Sequence, residues 1–224
     1  LSVETSLPLK AAALDKITAP YAGRTVSLDQ LGQAADKVTA YCRSHGYPAA
    51  TAYVPAQTAA DGHFKLAVVP GALGTVKIDN QSKLSDSTIK MLTARLQPGA
   101  ILTTKQVETA LYTINDLGGV TAIGVLSAGE KTGASDLTVR VVDGRKNSTI
   151  LYAENYGTKA AGRYRYGLTE DVYNLDKHGG HLNAGLLISN HGLHNYTVSY
   201  EVPTGRSATT LGVNAPPGVI TNTE

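Results

Sequence analysis

The sequence of 224 residues is poor in three things: cysteine, charge and long apolar runs. Its one cysteine, Cys42, rules out a disulfide within the chain and leaves the redox compartment open, and no group of cysteine and histidine has the spacing of a structural zinc site. Only 17% of residues are charged, below the globular norm of about 25%. Twenty basic and 18 acidic side chains leave a formal charge of +2. The surface must therefore use Ser, Thr, Asn, Gln and Gly, and no field of one sign draws the chain to nucleic acid. No window approaches the roughly 18 apolar residues of a membrane helix, and the N-terminus lacks the basic-then-apolar order of a signal peptide. The chain opens at Leu1 without an initiator methionine, which fits a trimmed or mature form.

Catalytic signatures are equally scarce. His178, His181, His191 and His194 lie close in sequence, but their spacing matches no metalloprotease helix and they fall at strand ends or turns. No Gly-x-Ser-x-Gly elbow marks a nucleophilic serine, and no glycine-rich phosphate loop is present. The expectation is a protein that is not an enzyme, with no metal, no cofactor and no nucleotide.

What is present is a repeated grammar of helices and strands, in a chain whose 42% apolar content suffices for a core. Leu9, Ala12, Ala13 and Ile17 recur at helical spacing in a helix opening near Leu7 and closing before Pro20. Ser27 with Gln30 forms a capping box. The stripe Leu31, Ala34, Ala35, Val38 and Cys42 then defines a second helix ending at Gly46, with Cys42 a small hydrophobe in the helix-sheet gap. Residues 51–55 and 64–69 read as a hairpin turning at Asp61-Gly62. A strand at 73–78, a helix at 86–96 and a helix opened by Thr103 and Gln106 repeat the order; the last carries Val107, Ala110, Leu111 and Ile114 and stops at Gly118-Gly119. Strands at 121–126 and 137–142 complete the unit.

Gly46 and Gly71 are separated by the same interval as Gly119 and Gly144, and in that frame Leu66 and Val68 fall on Val139 and Val141. The spacing argues for a duplicated module of order strand, helix, helix, strand, strand, opened in the first copy by a strand at 2–5 short enough to be a truncated one. In each copy both helices should cover one sheet face, with the hairpin's first strand at the sheet edge.

Beyond Lys146 helical periodicity gives way to alternation in strands of about ten residues, with turns at 174–180, 190–192 and 204–206. Ile150, Tyr152 and Tyr156 share one parity; Tyr164, Tyr166, Leu168 and Val172 lie opposite Arg163, Arg165, Gly167 and Thr169. Leu182 to Ile188 and Tyr196 to Val202 alternate likewise, until Asn214-Ala215-Pro216-Pro217 interrupts the last strand. Two readings stay open: a soluble β-sheet packed on its own core, or part of a membrane β-barrel with its tyrosine face toward lipid. Four or five strands cannot close a barrel, whose smallest members have about eight, so the second reading makes the chain a fragment.

Pro20-Tyr21-Ala22-Gly23-Arg24, Ser27-Leu28, Arg43-Ser44-His45-Gly46-Tyr47-Pro48, Ala52-Tyr53-Val54-Pro55-Ala56-Gln57 and Asp61-Gly62 closely resemble the first polypeptide-transport-associated (POTRA) domain of two-partner secretion transporters of the haemolysin-activator type. The second module looks like the second such domain, and Asn155-Tyr156-Gly157 with Gly162-Arg163-Tyr164-Arg165 is similar to the first barrel strands of that family. The resemblance implies an α+β chain in three parts: POTRA-like modules at 1–71 and 72–146, and the N-terminal strands of an incomplete outer-membrane barrel at 147–224. It further implies periplasmic capture of one dedicated, unfolded exoprotein through its N-terminal secretion domain, for delivery to the barrel in the outer membrane of a Gram-negative cell, without nucleotide. A general outer-membrane assembly factor and a soluble β-rich binding domain are the alternatives.

An open sheet edge accepts an extended polypeptide through backbone hydrogen bonds. The candidate binding residues are Thr51 and Tyr53 with Tyr41 on the neighbouring helix, and Thr121, Ile123, Val125 and Ser127 with Val107 and Leu111. Pro55 donates no bond and limits the first edge, which places the weight on Ile123 and Val125. Tyr47 is a further candidate for groove contacts. Arg163 and Arg165 are candidates for the barrel lumen.

Overall fold

The first module runs β1 (Ser2–Glu4), α1 (Ala11–Thr18), a 3-10 turn (Ala19–Tyr21), α2 (Leu28–Ser44), β2 (Thr51–Tyr53) and β3 (Lys65–Val69) in the computed structural model, which describes residues 1–57, 62–205 and 209–221, the stretch 216–221 by backbone alone. The capping box forms as the sequence implies: Gln30 N–H donates to Ser27 Oγ at 3.2 Å, and Ser27 N–H donates to Gln30 Oε1 at 3.0 Å. Leu31, Ala34, Ala35, Val38 and Cys42 are all buried, and all but Leu31 join the core that α2 forms with Leu66 and Val68 of β3. Burial pushes the Cys42 thiol pKa up. Helix α1 starts at Ala11 rather than near Leu7, because Pro8 follows Leu7 and biases it away from helical backbone. Leu7 is nevertheless buried in the same core.

The sheet order is β1-β3-β2, with β1 parallel and β2 antiparallel to the central β3. Strand β2 is shorter than the expected 51–55, ending two residues before Pro55. Asp61, expected to turn with Gly62, lies outside the described residues, as does Arg206 in the expected turn at 204–206.

The second module repeats the order: β4 (Ala72–Gln81), α3 (Asp86–Thr93), α4 (Thr104–Asn115), β5 (Val120–Ala128) and β6 (Ala134–Asp143), in a sheet of order β4-β6-β5. Thr103 and Gln106 cap α4 by the same reciprocal bonds as in the first module. Helix α3 ends at Thr93, earlier than the expected 96, although Leu96 is buried. The matched pairs Leu66/Val139 and Val68/Val141 are buried in both copies, as a duplication requires.

By contacts the chain divides into two compact units, Leu1–Lys77, Leu96–Thr109 and Gly124–Thr138 in one, Ile78–Arg95, Ala110–Ile123 and Val139–Glu224 in the other. Within the first unit there is no loose linker after β3. Gly71 has φ +80°, and a Cβ there would lie 2.4 Å from the Ala49 carbonyl oxygen. Ala72 N–H donates to Gly133 O, and Thr104 N–H at the start of α4 donates to Gly46 O at 3.0 Å. This last bond satisfies one of the orphan donors of the helix terminus.

The second unit carries five antiparallel strands, β7 (Asn147–Glu154), β8 (Arg165–Tyr173), β9 (His181–Ser189), β10 (Leu193–Thr204) and β11 (Thr209–Thr221), neighbours in space in chain order. The β8–β9 turn bonds to the N-cap of α3: Ser85 N–H donates to Lys177 O at 2.7 Å, and Ser85 Oγ lies 3.0 Å from His178 Nδ1. The Tyr173 ring lies against Gly118, where φ is +67° and a Cβ would come within 2.4 Å of the ring.

Two expectations for this region are corrected. Pro216-Pro217 does not end the last strand: β11 runs through to Thr221. The β10–β11 register shifts between Tyr196, opposite Gly218, and Val198, opposite Ala215. Thr197 thus faces both prolines across a bulge, a place where missing N–H groups cost no ladder bond. In β7 the register puts Tyr152 opposite Gly167, so Ile150 and Tyr152 share the face of Arg165, while Leu151 and Ala153 face with Leu168 and Tyr166. Gly167 makes the seat for the Tyr152 ring, since a Cβ there would lie 2.0 Å from it.

Candidate functional site

The strand orders place β2 and β5 at sheet margins, yet the two margins differ chemically. At β2 the Ala52 N–H, which points away from β3, donates to Thr39 Oγ1 at 2.8 Å, and Arg43 Nε donates to Ala50 O at 3.2 Å. Side chains of α2 thus take the outward N–H of this three-residue edge and the carbonyl just before it. Of the residues singled out there, Thr51 is exposed and Tyr53 is 47% exposed, while Tyr41 is half-buried against the core with its ring 4.0 Å from that of His45. Tyr47 likewise packs on the core.

At β5 a side-chain cap holds one outward residue near the start of the strand. Ala122 N–H donates to Asn115 Oδ1 at 2.6 Å, and Asn115 Nδ2 donates to Ala122 O at 3.3 Å. At the other end Gly129 N–H donates to Ala134 O of the β5–β6 turn, so Gly129 faces inward. A strand's backbone groups alternate in direction, and an outward Ala122 and an inward Gly129 agree with unbroken alternation between them. Gly124, Leu126 and Ala128 therefore turn their N–H and C=O groups to the open margin, where no strand pairs among the described residues.

The other parity belongs to the residues named from sequence. Thr121, Ile123, Val125 and Ser127 direct their backbone groups to β6 and offer side chains on the face opposite that of buried Ala122. Ile123 is 49%, Val125 47% and Leu126 39% exposed, so apolar side chains of both parities border the margin. Neither charge nor proline occurs from Val120 to Ala128. Val107 and Leu111 are half-buried on α4, in the stripe that also carries buried Ala110 and Ile114.

The five-stranded sheet has two unlike faces. Leu151, Tyr166, Leu168, Tyr196, Val198 and Val213 lie on one, all exposed. Arg165, Thr169, Asp171, Asn183, Thr197 and Ser199 lie on the other. Arg165 opens β8 and pairs with Glu154 directly across on β7 at 2.6 Å. Arg163, expected on the same strand, precedes β8 and is exposed. On the polar face His181 Nε2 and Asn183 Nδ2 both lie within 2.9 Å of Asp171 Oδ1, and the His181 ring stacks on Tyr173 at 4.6 Å. No group of three or more His, Cys, Asp or Glu side chains that could hold a metal occurs among the described residues.

Electrostatics in the second module centre on Asp136, a buried carboxylate of β6. Thr75 N–H donates to it at 2.8 Å and Lys77 lies 3.4 Å away, and these hold its pKa below the usual carboxylate range. The same residue fills the space beside Gly74, where a Cβ would lie 2.2 Å from its Oδ1.

Sequence reasoning missed Asn115, Thr39 and Arg43 as caps, and Gly124, Leu126 and Ala128 as the edge residues. A usable signal existed for the last three: a tight turn at Gly129–Ala134 fixes which parity faces the partner strand.

Residues 1–71 match the family described as POTRA domain, ShlB-type. Over 197 residues the chain is 32% identical to the heme/hemopexin transporter protein HuxB of Haemophilus influenzae (strain 86-028NP), an alignment covering 87% of this chain and 35% of that protein. It is 22% identical over 204 residues to the outer membrane transporter CdiB-2 of Burkholderia pseudomallei (strain 1026b), covering 86% of this chain and 34% of that one. The solved structure of CdiB from Escherichia coli shares the fold with a TM-score of 0.65 at 19% identity, covering 91% of this chain and 39% of that one. The chain spans roughly a third of the length of the curated relatives it matches. Its first module is a POTRA domain of the ShlB type, and over most of its length it is homologous to transporters of the two-partner secretion type.

Proposed function

We propose that the chain is the receiving end of an outer-membrane transporter: its POTRA-like modules, residues 1–71 and 72–146, stand in the periplasm and hand a dedicated, unfolded exoprotein to a barrel whose first strands are residues 147–224. The observation that carries this reading is the β5 margin, an edge of nine residues without charge or proline. Such an edge is an aggregation hazard unless a partner covers it, and proteins ordinarily blunt it with lysine, proline or a bulge. A passing extended chain covers it by adding as a strand, with backbone bonds indifferent to sequence. Each added residue costs about 1–2 kcal/mol of backbone ordering, against about 1 kcal/mol net for each hydrogen bond. Backbone pairing alone therefore gives little affinity. Preference for one exoprotein must come from side chains, and Ile123, Val125 and Leu126 are placed to supply it.

The second support is the two-faced sheet of β7–β11. An exposed apolar face with Tyr166 and Tyr196 opposite a face of Arg165, Asn183 and Thr197 is the pattern of a wall between lipid and a wet lumen. The relatives are named as transporters, and this chain acts by binding and guiding rather than by catalysis. Titrating the full chain with the unfolded N-terminal secretion domain of the neighbouring exoprotein, against an unrelated unfolded chain of equal length, tests the proposal. Tighter binding of the former is expected; equal binding, or none, sinks dedicated capture.

A further inference from the structure

Asn115 holds both backbone groups of Ala122 at once, its Oδ1 accepting the N–H at 2.6 Å and its Nδ2 donating to the C=O at 3.3 Å. One residue of a neighbouring strand makes the same two bonds to its opposite residue in an antiparallel ladder. The primary amide carries one acceptor and one donor side by side, as a strand residue does across a hydrogen-bonded pair, and few side chains reproduce that pair. Asn115 is also held in place. It is the last residue of α4, anchored by buried Ile114 beside it, and the chain turns back through Gly118 and Gly119, both at φ +67°, to bring Ala122 alongside.

We propose that the Asn115 amide stands in for the first residue of an added strand, and so fixes the register at which a captured polypeptide begins to pair with β5. This rests on the strand-addition reading above and deepens it. With Ala122 occupied, the incoming chain pairs only with Gly124, Leu126 and Ala128, and the margin ends where β5 does, at Ala128, before the chain turns back into β6. The open margin is thus a slot of fixed length rather than an indefinite edge, and an extended chain is gripped over about six residues at a time. A short slot suits transit, because a strand gripped over few bonds also leaves readily. In the first module β2 is three residues long and the N–H of Ala52 is already taken by Thr39, so no comparable run of outward residues remains there.

The test is residue-resolved hydrogen exchange on the full chain in detergent, with and without an unstructured peptide of alternating threonine and valine capped by lysines. The same peptide with prolines in place of the valines is the control. In the natural chain the Ala122 amide should exchange slowly with or without peptide, while the Gly124, Leu126 and Ala128 amides slow by about tenfold or more only when the alternating peptide is present. In Asn115→Ala the Ala122 amide should exchange fast in the free chain and become protected when the peptide is added, a fourth residue joining the ladder. Asn115→Asp, which keeps the acceptor but not the donor, should leave Ala122 N–H protected without peptide. If Ala122 of Asn115→Ala stays unprotected at saturating peptide while the other three amides slow, the stand-in role is overturned and strand addition survives. If none of the three slows in the natural chain, strand addition falls and the inference with it.

Discussion

Replacing Leu126 with proline and, separately, Val125 with proline perturbs two neighbouring residues of one strand and should give opposite results. Leu126 N–H points to the open margin, so a proline there removes no bond that β5 makes to β6. Val125 N–H points the other way, and Val125→Pro removes a bond from the ladder itself. For Leu126→Pro the loss falls on the captured chain, one of whose carbonyls is left without a donor. That costs about 1–3 kcal/mol, a factor of about 5 to 150 in affinity. Leu126→Ala isolates the side-chain contribution, so the ratio of Leu126→Pro to Leu126→Ala reads the backbone bond. Fluorescence anisotropy of a labelled threonine-valine peptide measures the affinity, and a thermal melt followed by circular dichroism measures the fold. Leu126→Pro should melt within a few degrees of the natural chain, whereas Val125→Pro should lower the transition by about 4–8 °C for each kcal/mol lost. Equal affinities of Leu126→Pro and Leu126→Ala would refute strand addition at this margin, and a melt of Leu126→Pro as low as that of Val125→Pro would refute the assigned parity.

Other consequences are independent of capture. The Asp136 pKa is lowered by the Thr75 N–H and by Lys77, so its stabilising effect is complete above the ordinary carboxylate range, near pH ~4, and is lost as pH falls through the depressed value. Asp136→Asn should accordingly flatten the acid limb of stability against pH, seen in melts taken from pH ~6 down to pH ~2. Gly118→Ala forces a side chain into the left-handed region and against the Tyr173 ring; it should cost more than about 1–2 kcal/mol and speed amide exchange at Tyr173 and Ser85. Leu168→Arg on the apolar sheet face should cost about 2–4 kcal/mol of insertion when the full-length transporter is folded into vesicles and titrated with urea, while Thr197→Arg on the polar face should cost little.

The helices were legible as elements, though not to the residue at the start of α1 or the end of α3, because their signals are local. The Ser27–Gln30 and Thr103–Gln106 boxes each need only four consecutive residues, and both form. The hairpins were legible too, and placing the hairpin's first strand at the margin followed from counting which strands β3 must pair with. The two errors in the strands beyond Lys146 share one cause. The faces of β7 depended on register with β8, which puts Tyr152 over Gly167, and the fate of Pro216-Pro217 depended on a bulge facing β10. Neither partner is near in sequence, and a one-residue slip in register exchanges the two faces of a strand.

Composition, caps and the equal spacing of Gly46–Gly71 and Gly119–Gly144 were enough by themselves to establish two copies of one α+β module followed by alternating strands. Whether either margin was open lay beyond them. Ala52 is closed by Thr39 and Ala122 by Asn115, contacts that depend on how a helix end is laid beside a strand. The physical reason is that hydrophobic periodicity reports which side of a strand is buried, whereas the availability of its backbone is a lateral property, set by whatever side chain the tertiary fold brings within hydrogen-bonding distance.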